Sequence, residues 1–412
     1  METKLKPPSD NLAGYMKVVR DPVQGYIQLD QTAVKLIDTP CFQRLRRVRQ
    51  LGFSYLAYPG ANHTRFEHSI GVYHLACQLT HLIDEAGVRR EVEIAALLHD
   101  IGHGPFSHTT EEIIKNRTQR THTDIDDILG EHGVAEVLEA DGISPKQVMK
   151  HIKGETYESQ ILASEIDIDR MDYLVRDSHY TGAAYGLIDH HRLLHEMRFH
   201  GTKIGVERGG LQAAEALLIS RFLMHPTVYY HHVSRIAETM CQKAIEYMLE
   251  EEEVGVEELR LMDDAALVAR LASSLNYPRE MAARLKNRKL FKRAVYTGFE
   301  NLPRDILKYR RHARRLEQEI AETAEIDPGY VIVDIPPPPE ISESRAQIIT
   351  SEKTIPLEKA SPIVAALEKS QHKNWRFGVY TPPEHREHVA RIARDIFQIK
   401  KETKQYRLDN IL

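Results

Sequence analysis

Apolar residues recur at a helical period through most of the first 325 positions of this 412-residue chain, and that pattern commits the region to packed helices. Asp38, Thr39 and Pro40 form a helix-start signal, after which Phe42, Leu45, Val48 and Leu51 fall on one face, with Arg44, Arg46, Arg47 and Arg49 on the others. Ile70, Leu75, Leu79, Leu82 and Ile83 predict a helix over 67–86. Residues 91–100 predict another, ended by Gly102, Gly104 and Pro105. The period continues over 157–175 and over 211–249, where Pro226 interrupts it. Residues 15–29 depart from it, alternating around Asp21, Pro22 and Gly25 as a short hairpin does. Beyond 325 the texture changes again. Tyr330, Val331, Ile332 and Val333 read as a strand, residues 336–339 are prolines that cannot be helical, and 384–400 is a charged amphipathic helix. The predicted fold is therefore mainly α: a helical region over 1–325 with an N-terminal hairpin, then a small mixed α/β region over 326–412. No internal repeat is visible.

Composition narrows the functional classes. There is no run of about 18 apolar residues for a membrane span, and residues 1–10 lack the apolar core of a signal peptide, so a cytoplasmic location and no membrane partner are expected. Cys41, Cys77 and Cys241 are odd in number and far apart, which implies neither a disulfide framework nor a thiolate zinc site. A net charge of −5 argues against a surface devoted to nucleic acid. Local basic clusters remain at 44–49, 286–293 and 308–315, each of which taken alone reads as a solvated helix face.

The chemistry begins at His99 and Asp100, which end the apolar stretch 94–98. With His68 upstream and Asp169 downstream they offer two imidazoles and two carboxylates, a donor set that suits Mn, Fe, Zn or Ni and can activate water near neutral pH. Adjacent helical residues point about 100° apart, so a His-Asp pair alone is as well explained by a capped or exposed helix end.

The surrounding motifs are longer. Arg65-Phe66-Glu67-His68-Ser69-Ile70-Gly71-Val72, then residues 99–108 (HDIGHGPFSH), then Ile166-Asp167-Ile168-Asp169-Arg170-Met171-Asp172-Tyr173 resemble the HD superfamily of metal phosphohydrolases. The likeness is greatest to its SAM-and-HD-domain branch of deoxynucleoside triphosphate triphosphohydrolases, and it runs from about Lys17 to Phe291. The resemblance implies a helical catalytic core and hydrolysis of a dNTP to deoxynucleoside and triphosphate. It puts metal ligands on His68, His99, Asp100 and Asp169, and Mg can accompany the substrate phosphates. It puts catalytic histidines on His103 and His122, an acidic partner on Glu111, and a further motif histidine on His108. Proton delivery to a nucleoside leaving group suits a His positioned by a carboxylate; the bland alternative is a pair of capping or core histidines.

Phosphate oxygens are implied for Arg65, Arg170 and Arg221, with Lys at the Arg170 position in better-known relatives. Tyr173 and Asp177 match residues around the phosphates and sugar, and Gln50 one that reads the 3′ hydroxyl. Tyr229 matches a tyrosine packed against C2′, while Tyr230, His231 and His232 depart in part from the pattern. Lys17, Asp38, Gln43, Arg46, Arg288 and Lys292 match positions that hold an activating guanine nucleotide (GTP or dGTP) between subunits, which implies a homo-oligomer, dimer or tetramer. Asp can accept from guanine N1 and N2 while Arg and Gln meet O6 and N7; the alternative is a solvated Arg-rich helix. Two other functions stay open: another HD phosphohydrolase activity on nucleotides or single-stranded nucleic acid, and a nucleotide-sensing regulator.

Overall fold

The computed structural model describes residues 15–131, 133–337, 345–351 and 353–399. The chain opens with a hairpin of β1 (Tyr15–Asp21) and β2 (Gly25–Asp30). Its turn is built by Asp21, whose Oδ1 accepts from the backbone of Val23 and Gln24, and by Gly25, whose φ of +79° is left-handed. Helices α1 (Gln31–Ile37), α2 (Pro40–Arg44), α3 (Arg65–Leu79) and α4 (Ala86–Leu98) follow. Then come α5 (His108–Thr118), α6 (Asp126–Glu131), α7 (Val134–Ala140), α8 (Pro145–Ile152), α9 (Ile168–Thr181) and α10 (His190–Glu196). After β3 (Met197–His200) and β4 (Lys203–Glu207) the helices resume as α11 (Leu211–Met224), α12 (His232–Glu250), α13 (Val256–Leu261), α14 (Asp264–Ser273) and α15 (Asn276–Lys286). Among the described residues no helix is long and apolar enough to cross a membrane.

The helical prediction holds with three corrections. The 42–51 pattern is not one helix: α2 ends at Arg44 and a 3-10 turn follows, because the chain leaves the helix to bridge Arg49 with Thr64 and to bond Gln50 N to His63 O. Phe42, Leu45 and Val48 are nonetheless buried as predicted. Arg44 is buried too, not on a solvated face, and donates to Ile101 O and Met262 O. The 67–86 helix stops at Leu79 and continues as a 3-10 turn. Residues 157–175 are broken by a turn at 164–167, where Asp167 accepts from Ser164 N and Arg170 N and so caps α9. At Pro226 the interruption is real: a wide turn over His225–Tyr229 separates α11 from α12.

Strands from either side of residue 325 share two sheets. In one, β4 pairs in parallel with β7 (Gln347–Ile349), which pairs with β8 (Thr354–Pro356). In the other, β5 (Lys292–Thr297) and β6 (Ile332–Asp334) flank β9 (Phe377–Thr381), all antiparallel. The helices α16 (Ala313–Ala324) and α19 (Arg386–Ile396), separated in the chain by α17 (Leu357–Ala360) and α18 (Pro362–Ser370), pack on this second sheet through Ile320, Val389 and Ala393. The prolines at 338 and 339 and the end of the 384–400 segment lie outside the described residues.

Candidate active site

Three helices converge where the motifs meet. His68 lies in the first turn of α3, His99 and Asp100 follow α4, and Asp169 is the second residue of α9. His68 Nε2 is 2.9 Å from Asp169 Oδ1 and 3.7 Å from Asp100 Oδ2, and His99 Nε2 is 3.4 Å from Asp100 Oδ1 and 3.8 Å from Asp169 Oδ1. The two histidines are prepared as ligands. Nδ1 of His99 faces the Ala96 carbonyl at 2.8 Å and Nδ1 of His68 faces Asp172 Oδ2 at 2.9 Å, so each ring carries its proton there and turns an Nε2 lone pair inward. His99 Nε2 is buried with no hydrogen-bond partner. Burial works against a proton on His68, yet the carboxylates of Asp169 and Asp172 raise its pKa to about 10. The orphaned Nε2 of His99 and the facing carboxylates of Asp100 and Asp169 fit a divalent ion held between them.

Behind His68 stands a buried chain of charges that the sequence motifs did not assign. Asp172 accepts from Arg176 Nε at 2.8 Å and Nη2 at 2.9 Å, and Arg176 Nη1 reaches Asp21 Oδ2 at 2.8 Å. Gln24 also donates to Asp172 Oδ1. The Asp172/Arg176 pair has the i, i+4 spacing of a helix face and was legible as such; Asp21, on the hairpin, carried no signal.

The second group of predicted residues is also assembled. His103 is buried, its Nε2 3.4 Å from Asp100 Oδ1 and its Nδ1 without a partner. Its ring stacks on His122 at 4.1 Å with 10° between planes. Glu111 accepts from both His122 Nδ1 (2.5 Å) and His108 Nδ1 (2.9 Å). Burial together with the Arg65 and His122 charges holds His103 well below the usual imidazole range, whereas at His122 the Glu111 carboxylate outweighs burial and raises it. The two stacked imidazoles are thus shifted in opposite directions, His103 toward the neutral form and His122 toward the protonated one. His103, Glu111 and His122 form a second cluster with ligand-like spacing, but lone pairs lie in the ring plane, and two parallel stacked rings cannot aim theirs at one ion. Proton transfer fits them better.

Arg65 is buried and donates from Nη1 to Asp100 Oδ2 and from Nε to Ser107 Oγ, both at 2.7 Å. Arg170 turns back to Ser164 O and the Asp167 carboxylate at the start of its own helix. Along α9, Asp169, Tyr173 and Asp177 follow one another at one-turn intervals on one face. Asp177 is buried between His63 Nε2, 2.7 Å from its Oδ1, and the Tyr229 hydroxyl, which donates to Oδ2 at 2.9 Å. Tyr173 meets the Tyr229 ring edge-on. Gln50 is buried nearby in sequence to His63, to which its backbone bonds, and its Oε1 has no partner. Arg221 lies close enough to His225 to add to the effect of burial in lowering that imidazole to about 4.

The residues expected from the resemblance to hold a guanine nucleotide are only partly together. Lys17 Nζ is 3.9 Å from Asp38 Oδ2 at the surface, Arg46 donates to Gln43 and lies over the Phe66 ring, while Arg288 donates to Leu56 O and Lys292 starts β5.

Two imidazoles and two carboxylates, brought together by three packed helices with a second histidine and carboxylate group alongside, form a cluster that could hold a divalent metal ion in a helical architecture. Residues 65–177 match the HD domain and residues 188–408 the HD associated region, and the chain belongs to this family of HD-superfamily phosphohydrolases. It is 36% identical over 90% of its length to uncharacterized protein MJ1154 of Methanocaldococcus jannaschii, of which it covers 80%. It is 31% identical over 56% of its length to the deoxynucleoside triphosphate triphosphohydrolase SAMHD1 of Homo sapiens, of which the matched stretch spans only 44%. A crystal structure of a hypothetical protein from Aquifex aeolicus superposes with a TM-score of 0.74 at 29% identity, over 92% of this chain and 99% of that one.

Proposed function

We propose that this protein hydrolyses deoxynucleoside triphosphates to deoxynucleoside and intact triphosphate. The observation that carries this reading is the face of α9, where a ligand carboxylate (Asp169), an aromatic ring (Tyr173) and a buried carboxylate bonded to Tyr229 (Asp177) succeed one another. Such a face suits a phosphate at the Asp169 end and a sugar at the Asp177 end. The orphaned Gln50 Oε1 and the Asp177 carboxylate are acceptors for a sugar hydroxyl. Tyr229, held by Asp177, is a rigid wall against a 2′ hydroxyl.

His68, His99, Asp100 and Asp169 would hold the divalent ion, with Mn, Fe, Zn and Ni all compatible with the donor set. Bound there, such an ion supplies Lewis-acid polarisation and lowers the pKa of water. This chain's own residues do the rest. Arg65, Arg170 and Arg221 neutralise phosphate charge. Water attacks the α-phosphorus and forms the new P–O bond as the bond to O5′ breaks; O5′ takes one proton from an imidazole that Glu111 holds, His122 or His108, with His103 stacked beside the first, and the proton that water gives up replaces it. Activation by GTP or dGTP belongs to the same reading: Lys17, Asp38, Gln43 and Arg46 lie in one chain's surface, and Arg288 and Lys292 complete the site from another subunit of a dimer or tetramer.

Incubation with dNTPs, NTPs and a labelled oligonucleotide, with and without Mn²⁺, tests the reading. Metal-dependent turnover of dNTPs alone is expected, and in Tyr229→Ala the preference for dGTP over GTP in kcat/KM should fall by about tenfold or more, the weight of one unpaired buried hydroxyl. Equal rates on both sugars in the unmutated protein would remove the deoxynucleotide assignment.

A further inference from the structure

The loops that carry His108 and His122 are fixed from a segment outside the HD domain match, the junction of α13 and α14. Arg260 is fully buried; its Nη1 donates to Asp127 Oδ2 and its Nη2 to Asp124 O, both at 2.5 Å. These bonds anchor the turn that follows His122. The same turn is pressed against the metal-ligand loop, because a Cβ on Gly102 would sit 2.1 Å from His122 O. Two residues on, Met262 O accepts from Arg44 Nη1 at 2.9 Å while Nη2 of that buried guanidinium donates to Ile101 O at 2.7 Å, next to Asp100. Asp264, the first residue of α14, accepts from Phe106 N at 2.6 Å on Oδ1 and from Arg49 N at 3.1 Å on Oδ2.

The last contact holds a strained piece of backbone. Phe106 and Ser107 are consecutive non-glycine residues with φ of +53° and +52°, a left-handed conformation that persists only where its surroundings impose it. That conformation turns Ser107 Oγ toward Arg49 O and Arg65 Nε, and it starts α5 at His108. Relaxed backbone here would re-aim His108 and loosen Arg65 from Asp100.

We propose that Arg260 and Asp264 are positioning residues for the hydrolytic reaction: from the HD associated region they fix the two loops that aim His122 and His108, touching neither substrate nor metal ligands themselves. The inference rests on the assignment of those histidines to proton transfer. It also gives the region after the HD domain a part in the chemistry.

The test measures Arg260→Met, Asp264→Leu and Asp264→Asn in the full chain for bound metal, KM and kcat. Both dGTP and the dinucleotide thymidylyl thymidine, each of which expels a nucleoside alkoxide that needs a proton, serve as substrates, so that an unmutated protein active only on the dinucleotide would end the dNTP reading and leave this one testable. Arg260→Met and Asp264→Leu should keep wild-type metal content and a KM within about threefold, yet lose about 100-fold in kcat, the effect of roughly 1 Å of misplacement. Asp264→Asn keeps an acceptor for Phe106 N and should recover most of that loss. Should Asp264→Leu not fold, Asp264→Ser, too short to reach Phe106 N, takes its place against Asp264→Asn. Unchanged kcat in the first two variants would overturn the proposal, as would a kcat loss that tracks loss of metal or a rise in KM, or no recovery in Asp264→Asn.

Discussion

His99→Ala is expected to leave the purified protein without its divalent ion and to lower hydrolysis by about 10³-fold or more, with the helical fold intact. The ring presents an unpartnered Nε2 to the cluster, bonds the Ala96 carbonyl through Nδ1 and meets the His68 ring edge-on, so its removal takes a ligand without stranding a charge. Asp100→Ala should lose metal and activity to the same extent but behave differently in stability. Asp100 accepts from the buried Arg65 guanidinium, and its removal strands that charge, a cost of about 3–5 kcal/mol. Elemental analysis, rate and chemical denaturation on the two variants separate the contributions. An Asp100→Ala protein that hydrolyses at the wild-type rate without metal would end the metal-centre assignment.

The second large effect is expected far from any substrate. Arg176→Met should destabilise the protein by about 3–5 kcal/mol, because Asp172 and Asp21 are left buried without their shared cation. Burial works to raise the Asp172 carboxyl, but Arg176 and His68 hold it well below the usual range. A carboxylate depressed in the folded state contributes stability that is present above the unfolded-state value, about 3.9, and is lost as the pH falls below it. The difference between wild type and variant should therefore be full at neutral pH and shrink in acid. Metal affinity should fall by about 10–100-fold as well, since Asp172 orients His68. Urea titrations from pH 3 to 8 check the first point and competition with a chelator the second. A pH-independent difference would place the defect elsewhere.

What the sequence made legible follows from how each residue is specified. His68, His99, Asp100 and Asp169 were legible because they sit in motifs that resemble those of the HD superfamily, and Asp169, Tyr173 and Asp177 share a helix face that their spacing announces. The i, i+4 spacing of Asp172 and Arg176 is visible in the sequence, but a surface salt bridge is the ordinary reading of such charges, and nothing local marks the pair as buried. The long-range contacts of Asp21 and Asp264 could not be read: each meets its partner across 155 or more positions, and nothing local marks the pairing. Arg44 misled because a run of arginines reads as solvated, whereas two carbonyls take its donors inside. The β3–β4 hairpin was missed for a related reason. Its strands are short, and Gly201, at a φ of +61°, was the one local signal of the turn between them.

The position of bond cleavage tests the central claim most directly. With dGTP and Mn²⁺ in ¹⁸O-water, the expected products are deoxyguanosine and intact triphosphate, with the label on the phosphorus that had carried O5′. Release of orthophosphate with dGDP would contradict this account, since it would put the attacked phosphorus at the far end of the triphosphate from the α9 face proposed to take the sugar.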